Sequence, residues 1–281
     1  MKAELSIWST YYYDLSPEDA VLELLKNGIH ACELSDEHGK ILLDRSDDVV
    51  STGRAFARFL REQSFSVPQG HLYLYVKICS DPTAIDALYR WIDLYEAIGI
   101  RNMVLHCDNL VGSTFSRQEK VEKNIEKLRI LAEYIKDKDV TVCLENLRTH
   151  TAAENKNDLV DRNADDLLYM IERVGSNKLG ICLDTGHLNL TDKNQREFIL
   201  KAGSKLKALH IADNEGERDQ HLMPFSCGKV DFCEVVRALR EVGYDGLFNL
   251  EIPGERHVPP EILAAKIKYI QACYDYLMRC E

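Results

Sequence analysis

The amino-acid sequence predicts an α/β protein that folds as a single (β/α)8 barrel over residues 1–281, and three observations support this. The chain of 281 residues, of which 45% are hydrophobic, suits one domain of the size of such a barrel, ~250 residues. Short apolar runs alternate with longer amphipathic stretches, and a succession of strand–helix pairs implies right-handed crossovers and an all-parallel sheet. No segment rich in proline, glycine and serine interrupts this pattern.

The predicted strands are short apolar runs bounded by turn signals. They cover residues 4–8, 29–34, 65–71, 101–106, 140–145, 178–184, 205–211 and 246–251. Ser16 followed by Pro17 predicts the start of the first helix, because serine caps a helix and proline is favoured in its first turn, and Gly28 predicts its end. Ser116 opens a long helix with charges at helical spacing, and residues 260–278 form a last helix that closes the barrel.

Four of these strands end in a side chain that can bind a metal. The runs VCLE, GICLD, ALH and FNLE end at Glu145, Asp184, His210 and Glu251. Alone, each acidic residue is more often a helix cap or an ion-pair partner, and the histidine a hydrogen-bonded core residue. Together they lie at the carboxyl ends of barrel strands, where active sites are found, and buried charges need a partner. Three carboxylates and one imidazole suit a hard or borderline divalent ion such as Mn, Mg, Co or Zn.

Five more polar residues are predicted on the same face of the barrel. They are His71, His106, His187, Asp219 and His221. His71 and His106 end the third and fourth predicted strands. His187 follows the aspartate of LDTGH by three positions, and Asp219 and His221 form a DxH pair in a polar loop. Each has a plainer interpretation, because a histidine can hydrogen-bond to a ligand residue and a polar loop can be solvated surface.

Composition and charge exclude several classes of function. Lys and Arg number 35 against 46 Asp and Glu, so the net charge of −11 disfavours binding to nucleic acid, although a local basic groove stays open. No apolar stretch approaches the ~18 residues of a membrane span, and the first residues lack the features of a signal peptide. The nine cysteines show no CxxC pairing, so we expect reduced, mostly buried thiols in a cytoplasmic protein. None is at a predicted ligand position.

Five motifs carry a family resemblance. They are LENL at 144–147, LDTGHLNL at 183–190, LHIADN at 209–214, DQHLMPFSCGKVDF at 219–232 and LEIPG at 250–254. In this order and spacing the chain resembles the sugar isomerase/epimerase-like TIM barrels, the superfamily that includes xylose isomerases, ketose 3-epimerases and endonuclease IV. The resemblance runs from His71 to Glu251 and is specific for the superfamily but not for one reaction in it.

The isomerase and epimerase branch implies one ion held by the four strand-end ligands and a small-molecule carbohydrate substrate. Glu145 and Glu251 would then remove and return a proton beside the metal-bound carbonyl, through an enediolate. Substrate contacts are expected from His187, His71, His106, Arg218 and Trp8. Arg218 lies eight positions past His210, further than the arginine of ketose 3-epimerases, and the alternative for Trp8 is a core residue. Relatives of this kind are often dimers or tetramers, which leaves a homo-oligomer open.

The endonuclease IV branch implies a three-zinc phosphodiesterase that acts on abasic-site DNA. All nine of its ligand types have counterparts in this chain, namely the four strand-end ligands and the five further polar residues. The acidic charge and the lack of loops rich in Arg and Lys disfavour it. A binding module with a structural ion is a third reading, disfavoured because structural zinc prefers cysteine ligands. We therefore expect the sugar branch, with the nuclease as the alternative.

Overall fold

The fold, taken from a computed structural model, is described for residues 3–149, 155–254 and 256–280. Its centre is an eight-stranded sheet. The strands are β1 (Glu4–Trp8), β2 (Ala31–Leu34), β3 (Ser66–His71), β4 (Asn102–Leu105), β5 (Thr141–Glu145), β6 (Leu179–Asp184), β7 (Leu206–His210) and β8 (Leu247–Leu250). Each overlaps the strand that the sequence predicts at the same place, so the number and order of the strands are confirmed.

Parallel pairing joins the strands in the order β7-β6-β5-β4-β3-β2-β1-β8. The first and last strands of this order meet just past their carboxyl ends. There Ile211 forms a parallel bridge with Leu250. The Ile211 N–H donates to Asn249 O at 2.8 Å, and the Glu251 N–H donates to Ile211 O at 3.2 Å. The carboxyl ends of the strands are thereby collected at one side of the sheet.

Ten helices are present in the described ranges. They are α1 (Pro17–Lys26), α2 (Asp36–Leu43), α3 (Val49–Glu62), α4 (Ala84–Ile98), α5 (Arg117–Tyr134), α6 (Ala164–Val174), α7 (Thr185–Thr191), α8 (Gln195–Ala202), α9 (Phe232–Glu241) and α10 (Pro260–Leu277). The predicted starts are confirmed: Ser16 caps α1, and Ser116 forms a capping box with Glu119 at α5. Two connections hold a pair of helices where one was expected, α2–α3 and α7–α8. None of the ten is long and apolar enough to cross a membrane.

A small apolar layer inside the sheet lies directly below the strand ends. Val104, Cys143, Cys182 and Ala208 form this cluster, and none of them is exposed. Successive side chains of a strand alternate between its two faces. The residue two positions further along each of these strands therefore points to the same interior, one level higher. Those positions are His106, Glu145, Asp184 and His210. A larger apolar core fills the space between the sheet and the helices.

The cysteines differ in part from the expectation of reduced thiols. Cys233, in α9, and Cys280, after α10, are joined by a disulfide with their Cα atoms 5.5 Å apart. They are 47 positions apart in the sequence, and only the packing of α10 beside α9 brings them together, which explains why no local spacing indicates the pair. The other seven are free, and five of these are buried.

Candidate metal centre and active site

The four predicted strand-end ligands come together at the carboxyl side of the sheet. One ligand atom from each of Glu145, Asp184, His210 and Glu251 lies within 4.8 Å of those of the other three. The first three end β5, β6 and β7, and Glu251 directly follows β8. Their exposed fractions are 1%, 0%, 0% and 7%, so three carboxylates share a space with almost no water to solvate them.

Two features of this cluster fit a divalent cation. Asp184 Oδ2 and His210 Nδ1 are buried and have no hydrogen-bond partner in the described part of the chain, although such atoms are normally paired. His210 Nδ1 lies 3.3 Å from Glu145 Oε2 and 3.4 Å from Glu251 Oε2. Three oxygen donors and one nitrogen donor converging on one point suit Mn, Mg, Co or Zn. These four residues are the ones that would hold the ion.

The two glutamates of the cluster differ in electrostatic environment. Burial opposes ionisation of Glu145, but neighbouring histidines, His210 first among them, outweigh it and hold the pKa of Glu145 well below its usual value. Burial raises the pKa of Glu251 to about 7, supported by the negative charges of Glu145 and Asp184 and opposed by the histidines. Around neutral pH one carboxylate is therefore ionised and the other is poised to gain or lose a proton.

A second cluster extends from Glu145 towards β3 and β4. His106 Nε2 lies 3.0 Å and His71 Nε2 3.5 Å from Glu145 Oε2, and the two histidines approach each other to 3.3 Å. His71 ends β3 and His106 follows β4, as predicted. The three residues form a group with metal-binding geometry.

A third cluster lies on the opposite side of Glu145. Asp219 Oδ2 is 3.4 Å from His187 Nε2 and 3.2 Å from His221 Nε2, and these three residues also form a group with metal-binding geometry. His187 Nδ1 lies 3.2 Å from Glu145 Oε1. Burial favours the neutral form of His221. The hydrogen bond to Asp219 and the charge of Glu251 outweigh burial and raise the pKa of His221 to about 10. The structure thus brings all nine predicted ligand residues into three adjoining clusters.

The LDTGH motif positions two of these residues by simple helix capping. Asp184 is the N-cap of α7, and its carboxylate accepts from His187 N–H, which places the histidine one turn into the helix and beside the carboxylate. Asn146 fixes the strand end from the other side: its Nδ2 donates to Asp184 O at 3.0 Å, and its Oδ1 accepts from Asp184 N–H at 2.8 Å. Gly186 lies between them, where an added Cβ would be 3.2 Å from Asn214 Nδ2.

A cavity of about 270 Å³ opens above the clusters. His106, Glu145, His187 and Glu251 line its polar part. Trp8 lines it from the end of β1, held by a hydrogen bond from its indole Nε1 to Ile252 O at 3.0 Å. The outer wall is largely apolar and includes Leu74, Tyr75, Val76, Val111 and Leu147. Of the further residues predicted to contact substrate, all but His71 and Arg218 line this cavity.

Arg218 does not occupy the place predicted for it. It is exposed on the loop after β7 and is not among the described residues that line the cavity. Arg148 lies there instead, with its Nε 2.9 Å from Asp219 Oδ2. The signal for Arg148 is its position three residues after Glu145 in LENLR, whereas the course of a polar loop cannot be read from spacing.

Two other residues of the site were not predicted. Cys182 lies two residues before Asp184 in β6, and its sulfur is within 4.8 Å of ligand atoms of Glu145 and His210, so a cysteine lies beside the predicted ligands although none was predicted at a ligand position. Glu33 of β2 is fully buried, with His210 Nε2 3.0 Å from its carboxylate. A charged residue in the apolar run IHACEL was a signal for it.

Residues 21–273 match the family model described as the xylose isomerase-like TIM barrel, and the chain belongs to this family. Among curated relatives, the uncharacterised protein y4fM of Sinorhizobium fredii is 30% identical over 204 residues, 71% of this chain and 60% of that protein. Probable endonuclease 4 of Mycoplasma pneumoniae is 26% identical over 205 residues, 68% of each chain. D-psicose 3-epimerase of Enterocloster bolteae is 28% identical over 127 residues, 45% of this chain and 38% of that enzyme.

Solved structures confirm the likeness of fold. A D-psicose 3-epimerase crystallised in the presence of D-fructose superposes with a TM-score of 0.78 at 14% identity, over 98% of this chain and 99% of that one. L-ribulose 3-epimerase gives a TM-score of 0.78 at 20% identity, over 98% and 94%. The sequence matches cover 60% and 44% of the first two curated relatives. The resemblance on which the sequence interpretation rests is therefore confirmed at the level of the family.

Proposed function

We propose that this protein is a divalent-metal-dependent isomerase or epimerase of a small carbohydrate, and that its sheet closes fully into a (β/α)8 barrel. The observation that carries the proposal is the convergence of Glu145, Asp184, His210 and Glu251 below a cavity of about 270 Å³. A cavity near the lower end of the usual range of ligand pockets, about 300–1,000 Å³, suits a single sugar. The parallel bridge between Ile211 and Leu250 supports closure.

The four strand-end residues would hold the ion. When bound, a divalent ion at such a site polarises a carbonyl and an adjacent hydroxyl oxygen of the substrate, which acidifies the C–H bond between them. The role of the protein side chains is then to move a proton. Glu251 is suited to accept it, because its carboxylate lines the cavity beside the four-residue cluster and a positioned carboxylate can act as a general base. Glu145 is the second carboxylate, and we assign it delivery of a proton to the other face. Because Glu145 is ionised, it must first receive that proton. His187 is suited to supply it, since its Nδ1 lies 3.2 Å from Glu145 Oε1 and Asp184 raises its pKa despite burial. The proton accepted by Glu251 leaves to solvent, from which His187 is reprotonated.

Other residues of the cavity would bind and orient the sugar. His106 and His187 present ring nitrogens beside Glu145, where they can hydrogen-bond to hydroxyl oxygens. Trp8 offers a flat apolar surface, and its hydrogen bond to Ile252 fixes the plane of the indole. An acidic protein with a net charge of −11 presents no electrostatic penalty to a neutral substrate, whereas it repels a polyanion at long range.

The test is exchange of substrate C–H protons with solvent. A panel of ketoses is incubated in D2O with protein loaded with Mn, Mg, Co or Zn, and deuterium at the carbons next to the carbonyl is followed by NMR. We expect Glu251→Gln and Glu145→Gln each to lose about 10²–10⁴-fold in rate at saturating metal, with metal content measured in the same samples. Glu261→Gln, at an exposed position of α10, is the matched control. Undiminished exchange in both glutamate variants contradicts the assignment.

One observation favours a second candidate, a three-zinc phosphodiesterase. The two flanking clusters adjoin the central one through Glu145, and each of the three groups has ligand atoms close enough together to hold an ion. Metal content per chain distinguishes the candidates: one equivalent supports the sugar enzyme, and three equivalents of zinc support the phosphodiesterase. Cleavage of an oligonucleotide with one abasic site, compared with exchange in ketoses by the same preparation, decides the activity.

A further inference from the structure

Glu33 is a buried carboxylate that the proposed reaction does not use. It lies on β2, is 0% exposed, and is aligned with Gln69 of β3. Its oxygens accept hydrogen bonds from two amides, Gln69 Nε2 at 2.7 Å and Asn249 Nδ2 at 2.5 Å. The third contact is His210, whose Nε2 lies 3.0 Å from each Glu33 oxygen. Glu33 therefore contacts Nε2 of His210, whereas Nδ1 of the same ring faces Glu145 and Glu251 of the predicted cation site.

The residues around Glu33 are held rigidly. Both amides donate to the same oxygen, Oε2, of Glu33. Asn249 Oδ1 accepts from Ser6 Oγ at 2.7 Å, and Gln69 Nε2 also approaches Leu209 O at 3.3 Å. All three polar partners are at most 1% exposed. Since each amide has its orientation fixed by a second contact, the carboxylate cannot rotate away from the imidazole without breaking buried hydrogen bonds.

We propose that Glu33 is a positioning residue that fixes the tautomer of His210, with the proton on Nε2 and a bare Nδ1 facing the cation. An ionised carboxylate only accepts hydrogen bonds, and a neutral imidazole has one donor and one acceptor nitrogen. Of the two ring nitrogens, Nε2 makes a hydrogen bond, to Glu33 at 3.0 Å, whereas Nδ1 has no hydrogen-bond partner in the described part of the chain. Nε2 is therefore the nitrogen that carries the proton when Nδ1 binds a cation. The other nitrogen, Nδ1, lies 3.3 Å from Glu145 Oε2 and 3.4 Å from Glu251 Oε2, where its lone pair is directed at the ligand cluster.

The same geometry makes Glu33→Gln a near-isosteric reversal of the tautomer. Gln69 and Asn249 both need an acceptor at the Oε2 position, so the oxygen of the new carboxamide stays there. Its NH2 group must then take the Oε1 position, 3.0 Å from His210 Nε2. The carboxamide oxygen, although also 3.0 Å from Nε2, already accepts from both amides. The NH2 group therefore makes the contact with His210, pairs with a bare Nε2 and drives the proton to Nδ1. The N–H bond then points into the cation position and opposes metal binding.

The inference rests on the cation site of the proposed function and not on the sugar chemistry. It is tested on the full chain by two measurements that need no substrate. Long-range ¹H–¹⁵N spectra of uniformly labelled, metal-free protein identify the tautomer of His210, assigned by its loss in His210→Asn. Burial lowers the pKa of His210, but Cys182 and the neighbouring carboxylates outweigh it and raise the pKa well above the usual value. The spectra are therefore followed upwards in pH until the imidazole is neutral. Titration with Mn²⁺ and Zn²⁺ gives the dissociation constants.

We expect the Nε2–H tautomer in the wild type and the Nδ1–H tautomer in Glu33→Gln, with metal affinity about 10–100-fold weaker in the variant. Glu33→Asp keeps an acceptor-only group and should retain the wild-type tautomer. Ser6→Ala, which removes the outermost hydrogen bond of the same buried network, is the matched control: it lowers stability but changes neither tautomer nor affinity by more than about 2-fold.

Two results overturn the proposal. One is a wild-type spectrum with the proton of neutral His210 on Nδ1, which decides the question even if Glu33→Gln does not fold. The other is a folded Glu33→Gln with unchanged tautomer and unchanged metal affinity. Failure of the proposed sugar reaction is separate, since a protein that passes both measurements and exchanges no ketose proton refutes only the function.

Discussion

Asn146 determines where the end of β6 lies, and Asn146→Ala is predicted to damage both the fold and the cation site. The side chain is fully buried and bonds to both backbone groups of Asp184, with its Oδ1 accepting from N–H at 2.8 Å and its Nδ2 donating to C=O at 3.0 Å. Removing it leaves a buried N–H unpaired, which costs about 1–3 kcal/mol, and deletes a second bond of about 1 kcal/mol. We therefore expect a loss of about 2–4 kcal/mol.

The assay is urea unfolding of metal-stripped protein, repeated at a fixed excess of Mn²⁺. A loss of about 3 kcal/mol corresponds to a fall in Tm of about 6–12 °C for a domain of this size. An ion present at 100 times its dissociation constant stabilises the wild type by about 2.7 kcal/mol, and tenfold weaker binding lowers this to about 1.4 kcal/mol. Asn146→Ala should show both a lower free energy of unfolding without metal and a smaller increase in that free energy when Mn²⁺ is added.

Asn102→Ala is the matched control, because Asn102 is also a strand asparagine that bonds to a backbone carbonyl, Lys207 O at 3.0 Å, but at an exposed site. We expect it to cost under about 1 kcal/mol and to leave the stabilisation by Mn²⁺ unchanged. Equal losses of unfolding free energy in the two variants would contradict this reasoning, as would wild-type stabilisation of Asn146→Ala by Mn²⁺. Either result would show that the two hydrogen bonds from Asn146 do not hold Asp184 in its position as a ligand.

Three further predictions follow from single side chains. A chelator should lower the Tm of the wild type and leave that of Asp184→Asn unchanged, as measured by thermal unfolding, because the variant lacks a ligand. Burial raises the pKa of Asp161 from 3.8 to about 7, so its contribution to stability is complete below about pH 4 and is lost as pH rises through about 7. Asp161→Asn should therefore remove up to about 3 kcal/mol of the decline in urea-unfolding stability between pH 5 and pH 8, and an unchanged decline contradicts the shift. In Trp91→Phe, ligand binding should change the fluorescence of Trp8, the remaining tryptophan, and a silent signal with demonstrated binding contradicts its place in the cavity.

The sequence predicts the site better than its surroundings, for a physical reason. A carboxylate at the end of an apolar strand stands out against its neighbours, and the two-residue period of a strand then fixes which face it points to. Glu145 and Asp184 lie, as this period requires, one level above the buried Cys143 and Cys182. No comparable period governs loops, which is why Arg218 was placed in the cavity and Arg148 was not.

Glu33 and the Cys233–Cys280 pair were missed for a different reason. The partners of Glu33 are residues of β3, β7 and β8, so its role depends on contacts across the interior that one strand does not encode. The two cysteines meet only because α10 packs back beside α9. In both cases the fold makes neighbours of residues that are distant in sequence.

The number of bound ions is linked to the charge of the substrate. The three clusters hold four carboxylates, on Glu145, Asp184, Asp219 and Glu251. One divalent ion leaves an excess of two negative charges, which two protonated histidines of the flanking clusters can balance. Despite burial, nearby acidic groups raise the pKa of His71 to about 9, that of His221 to about 10 and that of His187 well above its usual value. A neutral sugar suits that balance. Three ions would use these histidines as neutral ligands and leave an excess of two positive charges, which suits a phosphodiester and an attacking hydroxide.

Inorganic phosphate therefore reports the state of the site. With one equivalent of Mn²⁺ or Zn²⁺, we expect millimolar phosphate to leave ketose exchange within about 2-fold of its rate, because there is no net positive charge to attract the anion. Titration to three equivalents of Zn²⁺ should create phosphate binding, measured by calorimetry, and His221→Asn should abolish it by removing a ligand of the third cluster. Tight phosphate binding at one equivalent of metal would contradict this charge balance and would favour the phosphodiesterase over the sugar enzyme.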